Sequence, residues 1–311
     1  MIHWLRAFPF KIILLICLLA VQYCMAQKTE PDEQRPYNPT RLKLVTVGGA
    51  VFYAGTLFGL STIWYDNYDK TYFHLFDDNQ GWMQVDKFGH AYTSYIMGKG
   101  GYKSLMWTGI DRKKAIWFGG SYGFLFLSSV EILDGHYKQW GLSVGDVAAN
   151  AFGSMLFIGQ QLWAGSQVVT MKFSYNPTPL AQLRPEHLGS GDMERIIKDY
   201  NGHTYWFSAN YRSFFKGHHI VPKWLNIAGG YGAYGMLGGK ENPDYNNTGE
   251  RLPDIERYRR YFLTLDVDFD RIESKNKFVR SVFFFLNLIK VPMPTLEYNS
   301  KGEFVFHPVY F

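Results

Sequence analysis

The chain has 311 residues and a formal charge of +5, from 32 Lys+Arg against 27 Asp+Glu, a basicity too mild to point to a nucleic-acid partner. Charged residues make up only 19% and aromatics 18%, an aromatic-rich balance that fits an envelope or membrane setting. Both cysteines, Cys17 and Cys24, precede Ala26, which denies the rest of the chain disulfides, thiol catalysis and cysteine-bound zinc.

The first residues carry Arg6 and Lys11, then an apolar core from Ile12 to Val21, then small residues ending at Ala26. This is the layout of a secretory signal peptide, and cleavage after Ala26 is expected in preference to an uncleaved anchor helix. Val21, Gln22 and Tyr23 form a poor approach to a lipid-modified Cys24. Loss of residues 1–26 removes two of the 32 basic residues and none of the 27 acids, leaving a formal charge of +3. Residues 27–43 read as a polar linker rich in Pro and charge.

The run from Leu44 to Trp64, "LVTVGGAVFYAGTLFGLSTIW", carries no charge over about one bilayer's worth of helix and is the best membrane-span candidate. Three more apolar runs follow, near residues 88–108, 114–133 and 144–165, interrupted by Lys99, Lys103, Glu131 and Asp146. Gly55 with Gly59, Gly119 with Gly123, and Ala149 with Gly153 are small residues four apart, a spacing that lets helices approach closely. Four packed helices are expected over residues 44–174. The connection holding Lys99, Lys103, Arg112, Lys113 and Lys114 would lie inside by the positive-inside rule, with the opposite end periplasmic. The same rule places Arg35, Arg41 and Lys43 inside, which conflicts with a cleaved leader and keeps outer-membrane or periplasmic placement open.

From about Tyr175 the character changes to Pro, charge and turn residues. "HTYWFSANYRSFF", "WLNIAGGYGAYGML" and "RYFLTLDVDFDRI" read as strands, and "KENPDYNNTGE" as a loop. Residues 274–291 resemble a basic amphipathic helix closed by "PMP", suited either to a membrane surface or to burial against the strands. The chain ends "FVFHPVYF", alternating like the last strand of an outer-membrane barrel, although Pro308 and the shortage of strands argue against a complete barrel. The expected class is α+β: an N-terminal four-helix bundle, of membrane type, then a β-rich region over residues 175–311 with an amphipathic helix.

Polar residues sit at the margins of these apolar runs. Asp86 and His90, Glu131 and Asp134, and Asp146 and Asn150 are three or four apart, so each pair shares a helix face. In an up-down bundle the start of the second helix, the end of the third and the start of the fourth share one end, so six polar groups converge there. Ser143 is placed to cap the fourth helix, a structural role that would also occupy Asp146. A purely structural network of caps and ion pairs competes with acid/base chemistry, in which His90, Glu131 and Asp146 are the candidate catalytic residues and Asp86, Lys87, Asp134 and Asn150 the binding ones. A metal on His90 and carboxylates is the third option, with His136 as a weak second imidazole. On balance neither metal nor cofactor is expected.

"DKFGH", followed by "SSVEILDG" and "SVGDVAANAFGS", resembles the pattern of the YfiM-like envelope proteins, a domain family of unknown function, and more remotely that of the VanZ-like membrane proteins. Residue by residue the likeness falls on Asp86, Lys87, His90, Glu131, Asp146, Asn150 and Gly153, within about residues 40–165. It implies an envelope protein without naming a reaction: the first family has no assigned activity and the second is linked to glycopeptide tolerance. The long β-rich half and the poor lipid-attachment site depart from the small lipoproteins. The expected function is an exported, membrane-associated protein, outer membrane slightly favoured, that binds or organises an envelope component. The alternative is a membrane hydrolase acting on a lipid or lipid-linked phosphate. Expected partners are a membrane lipid or envelope component and no nucleic acid, with oligomerisation open.

Overall fold

A computed structural model describes residues 35–65, 68–214 and 221–311; the signal-peptide reading and residues 27–34 of the linker lie outside the described residues. The chain is α+β and divides into two compact units, one helical (within Met1–Phe76, Thr93–Gly165 and Ser274–Val282) and one built on a sheet (Asp77–Tyr92, Ser166–Glu273 and Phe283–Phe311).

In the helical unit, α1 spans Pro39–Gly59 and runs on as a wider turn over Leu60–Trp64. It begins before the expected Leu44, because Asn38 accepts a hydrogen bond from the Arg41 amide at 3.0 Å and Pro39 takes a first-turn position that needs no N–H. None of its residues is buried. The next helix, α2, spans Val85–Trp107, and its later turns belong to this unit. α3, Arg112–Asp134, starts at an Asp111 cap, and α4, Val144–Trp163, starts at a Ser143 cap. Among the described residues two helices, Pro39–Thr62 and Arg112–Asp134, are long and apolar enough to cross a membrane.

Glycine decides how closely α2 and α3 approach. A Cβ on Gly123 would stand 2.3 Å from the Ser94 carbonyl oxygen, and one on Gly119 would stand 2.3 Å from the Tyr102 nitrogen. Gly55 faces nothing within 4 Å, so that expected small-residue contact is not made. α2 also lies along α4, with the Ser94 hydroxyl donating to the Asn150 carbonyl at 2.7 Å and the Gln161 amide donating to the Tyr102 hydroxyl at 3.1 Å. Because Ser94 pairs with Asn150 and Tyr102 with Gln161, the two helices run parallel.

The other unit carries six antiparallel strands in sequence order: β1 Val169–Tyr175, β2 His203–Ala209, β3 Leu225–Tyr234, β4 Tyr258–Val267, β5 Met293–Asn299 and β6 Phe304–Tyr310. Short helices α5 (Pro185–Leu188) and α6 (Asp192–Lys198) join β1 to β2, and α7 (Lys277–Leu286) lies between β4 and β5. Pro294 and Pro308 fall where the β5–β6 register slips, positions at which a missing N–H breaks no ladder bond. The outer edge of β1 is taken by residues 288–290, through Phe173 N to Leu288 O at 3.1 Å and Lys290 N to Phe173 O at 2.9 Å. The amide of Asn176, just past β1, donates to the carbonyl of Phe311. Among the described residues no strand pairs with the outer edge of β6, so the sheet is not a closed barrel.

The sheet's polarity is reversed from that of a soluble antiparallel sheet, which keeps apolar side chains in and polar ones out. Its inner face buries Thr170, Lys172, Ser174, Ser208, Asn226, Thr264, Asp266 and Glu297 around an aromatic cluster of Trp206, Phe262 and Tyr310. Lys172 Nζ lies 2.8 Å and Lys290 Nζ 3.7 Å from the Asp266 carboxylate, all three wholly buried. Burial lowers the pKa of Lys290 to about 8, with Asp266 opposing and Lys172 adding to the fall. Arg260 grips Glu297 at 2.9 and 2.7 Å, and His307 stands 2.8 Å from the same carboxylate. The outer face carries Tyr261, Leu263, Leu265, Leu296, Tyr298, Phe304 and Phe306, all exposed.

Candidate functional site

Asp86, Lys87 and His90 head α2, in the part of that helix belonging to the sheet unit. The helix is started by an unusual turn in which Trp82, Met83 and Gln84 have φ of 46, 50 and 66 degrees, the left-handed region that non-glycine residues seldom enter. The turn is held from outside: Trp82 N donates to Gly239 O at 2.7 Å, the Tyr231 hydroxyl donates to Met83 O, and Arg259 donates to Gln84 Oε1 at 2.9 Å. Val85 is then buried with Tyr205, Ala233 and Met236, while Phe88 stacks on Tyr231 with ring centres 4.6 Å apart. The glycine of "DKFGH" has a packing reason, since a Cβ on Gly89 would stand 2.8 Å from the Tyr205 hydroxyl.

These anchors fix which way the polar residues at the head of α2 are presented. Asp86 is buried, and Lys87 donates to it at 3.1 Å while reaching Asp78 at 2.8 Å. Lys87 is therefore flanked by two carboxylates, one of which, Asp78, the sequence reading did not single out. His90 stands one turn beyond Asp86, half-buried.

In the helical unit the other candidates cluster where α3 ends and α4 begins. Glu131 is 3% exposed and its Oε2 accepts a hydrogen bond from the Ser143 amide at 3.2 Å. The Ser143 hydroxyl in turn accepts from the Asp146 amide at 3.0 Å, the cap expected from the sequence, and places Asp146, 5% exposed, in the first turn of α4 where the helix dipole favours an anion. Asp134 accepts a hydrogen bond from the Tyr65 hydroxyl. Burial first, then the Asp134 charge and that hydrogen bond, raise the Tyr65 pKa far above its ordinary value, so the phenol stays protonated and donates.

Asn150 is wholly buried one turn after Asp146. Its carbonyl receives Ser94, whose hydroxyl also meets that of Ser154 at 2.9 Å. Tyr65, Ser94 and Ser154 were missed by the sequence reading; the only signal was spacing, since Ser94 is four residues after His90 and Ser154 four after Asn150. His136 is exposed and bonds the Ile132 carbonyl at 2.9 Å, so it is satisfied within its own helix end. The helical unit thus brings together Glu131, Asp134, Asp146 and Asn150, whereas Asp86, Lys87 and His90 belong to the other unit's part of α2.

Residues 73–158 match the model of a family described as "Predicted periplasmic lipoprotein (DUF2279)". The match includes every candidate residue named above except Tyr65, and it stops before β1. It supports an uncharacterised exported protein of the cell envelope. No curated protein and no solved structure matches the chain.

Proposed function

We propose that the protein is a membrane-associated envelope protein that binds an envelope component through its polar residues, Glu131, Asp146, Asp134 and Asn150 in the helical unit and His90, Asp86 and Lys87 at the head of α2. The observation that carries this reading is the pairing of two buried acidic residues around Ser143 in the helical unit: the Glu131 carboxylate accepts from the Ser143 amide, and the Asp146 backbone amide donates to the Ser143 hydroxyl. The likeness to the YfiM-like and VanZ-like families, and placement in the outer rather than the inner membrane, belong to the same proposal; the β-rich half is what favours the outer membrane.

The hydrolase reading uses the same residues, with His90 and Glu131 moving protons and Lys87 contacting a phosphate. Charge balance favours binding instead. Lys87 is already flanked by Asp78 and Asp86 at 2.8 and 3.1 Å, so its ammonium is engaged by carboxylates and poorly placed to hold a phosphate.

The test is phosphate and acyl release from envelope-lipid vesicles by the purified full chain, run beside retention of solubilised envelope components on the immobilised chain. The expected result is no release, and retention that is lost in Glu131→Gln and in His90→Ala. Release by the parent chain that His90→Ala abolishes would move the assignment to the hydrolase. Retention unchanged in both variants would remove the site.

A further inference from the structure

The outer face of the sheet is patterned as well as apolar. The register sets Tyr231, Tyr261, Tyr298 and Phe304 side by side across β3 to β6. Their rings touch in sequence, with centres 5.7, 6.4 and 4.9 Å apart. One step along each strand on the same face, Leu263, Leu296 and Phe306 form a second row, and beyond it Ile227 pairs with Leu265. Tyr231 is covered by Phe88 and bonded to Met83, whereas Tyr261 and Tyr298 are exposed beside the aliphatic rows, as tyrosines are where protein meets the headgroup level of a bilayer, because the ring prefers hydrocarbon while the hydroxyl prefers water. No charged side chain interrupts these rows. A shallow groove of about 230 Å³ lies there, lined by Tyr261, Phe262, Leu263, Leu296, Tyr298 and Phe304.

We infer that the outer face of β4 to β6, with the adjoining edge of β3, lies on a lipid bilayer, tyrosine row at the headgroups and aliphatic rows in the acyl region. The reversed polarity of the sheet carries the argument. Lys172, Asp266, Lys290, Arg260 and Glu297 are sheltered on the inner face while leucines and phenylalanines stand exposed, so the apolar surface has been placed where lipid, rather than water, is the neighbour. Over β1 to β3 the corresponding outer residues are covered within the unit by Val85, Phe88 and Tyr92, which leaves the bare part confined to the later strands. The sheet rests on the membrane and does not span it. Four of its strands have seven residues, short of a crossing, and the outer edge of β6, which no strand pairs among the described residues, could not be satisfied in hydrocarbon. This inference goes beyond the polar site and does not depend on it.

The test needs a local readout, because a chain with two apolar helices can sediment with membranes whatever the sheet does. In the full chain with Cys17 and Cys24 replaced by serine, single cysteines at Leu263, Leu296 and Phe306, and at Thr248 in an exposed loop, are labelled with a polarity-sensitive fluorophore. The labelled chains are reconstituted in phosphatidylethanolamine–phosphatidylglycerol vesicles. The expected result is blue-shifted emission at the three sheet positions that is quenched by lipids brominated on their acyl chains and untouched by aqueous iodide, with the reverse at Thr248. Quenching by iodide at the sheet positions would overturn the inference by placing the face in water. Shielding from both quenchers would overturn it in favour of a second copy or another protein on that face. Equal bromolipid quenching at Leu263 and Thr248 would overturn it by showing that the lipid contact is not specific to the sheet.

Discussion

Replacing Glu131 by Ala takes an acceptor from the buried Ser143 amide, and the consequence can be read at that amide. Ser143 N donates to Glu131 Oε2 at 3.2 Å, and both residues are buried. A buried donor left without its acceptor costs about 1–3 kcal/mol, which in the local opening equilibrium corresponds to roughly 5- to 150-fold. Hydrogen exchange at the Ser143 amide should accelerate by that factor in Glu131→Ala. Glu131→Gln keeps a carbonyl oxygen of the same reach and should stay near the parent rate, even where it abolishes ligand retention. The Asp146 amide, held separately by the Ser143 hydroxyl at 3.0 Å, should respond less than that of Ser143. An unchanged Ser143 rate in the alanine variant would refute the bond as the anchor of this corner. Equal acceleration in both variants would show that charge, and not the acceptor, holds it.

Three further outcomes are expected. Gly123→Ala should destabilise the helical unit by about 1–3 kcal/mol through overpacking, since its Cβ would meet Ser94 O at 2.3 Å, whereas Gly55→Ala, with nothing within 4 Å, should be neutral or slightly stabilising; thermal unfolding followed by circular dichroism separates them. Asp266→Asn should cost about 3–5 kcal/mol by removing the buried carboxylate that faces both Lys172 and Lys290, read from the emission of Trp206, which is buried in the same unit, during denaturant unfolding. Glu194 should titrate at about 2, lowered first by Lys198 and then by Ser190. A depressed carboxyl contributes stability above its unfolded value and loses it as pH falls through the folded one, so protection of the α6 amides should decline between about pH 4.5 and 2, with high salt weakening the effect because the pair is partly exposed.

What the sequence made legible were features written in local chemistry. Ser143 followed by Asp146 is a cap signal, and it caps. Alternation in "RYFLTLDV" gives β4, and alternation in "FVFHPVY" gives β6. Features set by distant partners were not legible. β1, "VTMKFSY", is short and lies next to an apolar helix, and only its pairing with β2 and with residues 288–290 makes it a strand. β5 was hidden by Pro294, read as the end of a helix, which the register slip against β6 accommodates. The start of α1 was misplaced because Asn38 and Pro39 look like linker until the Arg41 amide shows them to be a cap. For the site, spacing named Glu131, Asp134, Asp146 and Asn150, which the helical unit brings together, while Tyr65 enters through an aromatic stack with Tyr137 that no local pattern announces.

The left-handed turn at Trp82–Gln84 bears on the order in which the chain can acquire its structure. Three successive non-glycine residues in that region oppose their own local preference, at about 1–2 kcal/mol each, so the turn cannot nucleate on its own. The bonds that impose it come from Tyr231, 148 residues away from Met83, and from Arg259, 175 residues away from Gln84. Contacts of such separation form late, after the loop-closure entropy of the intervening chain has been overcome. The first turn of α2, with Asp86 and Lys87, therefore receives its starting point from strands synthesised long after it. On an emerging polypeptide these two residues wait, with their helix unanchored at its head, until β3 and β4 have paired.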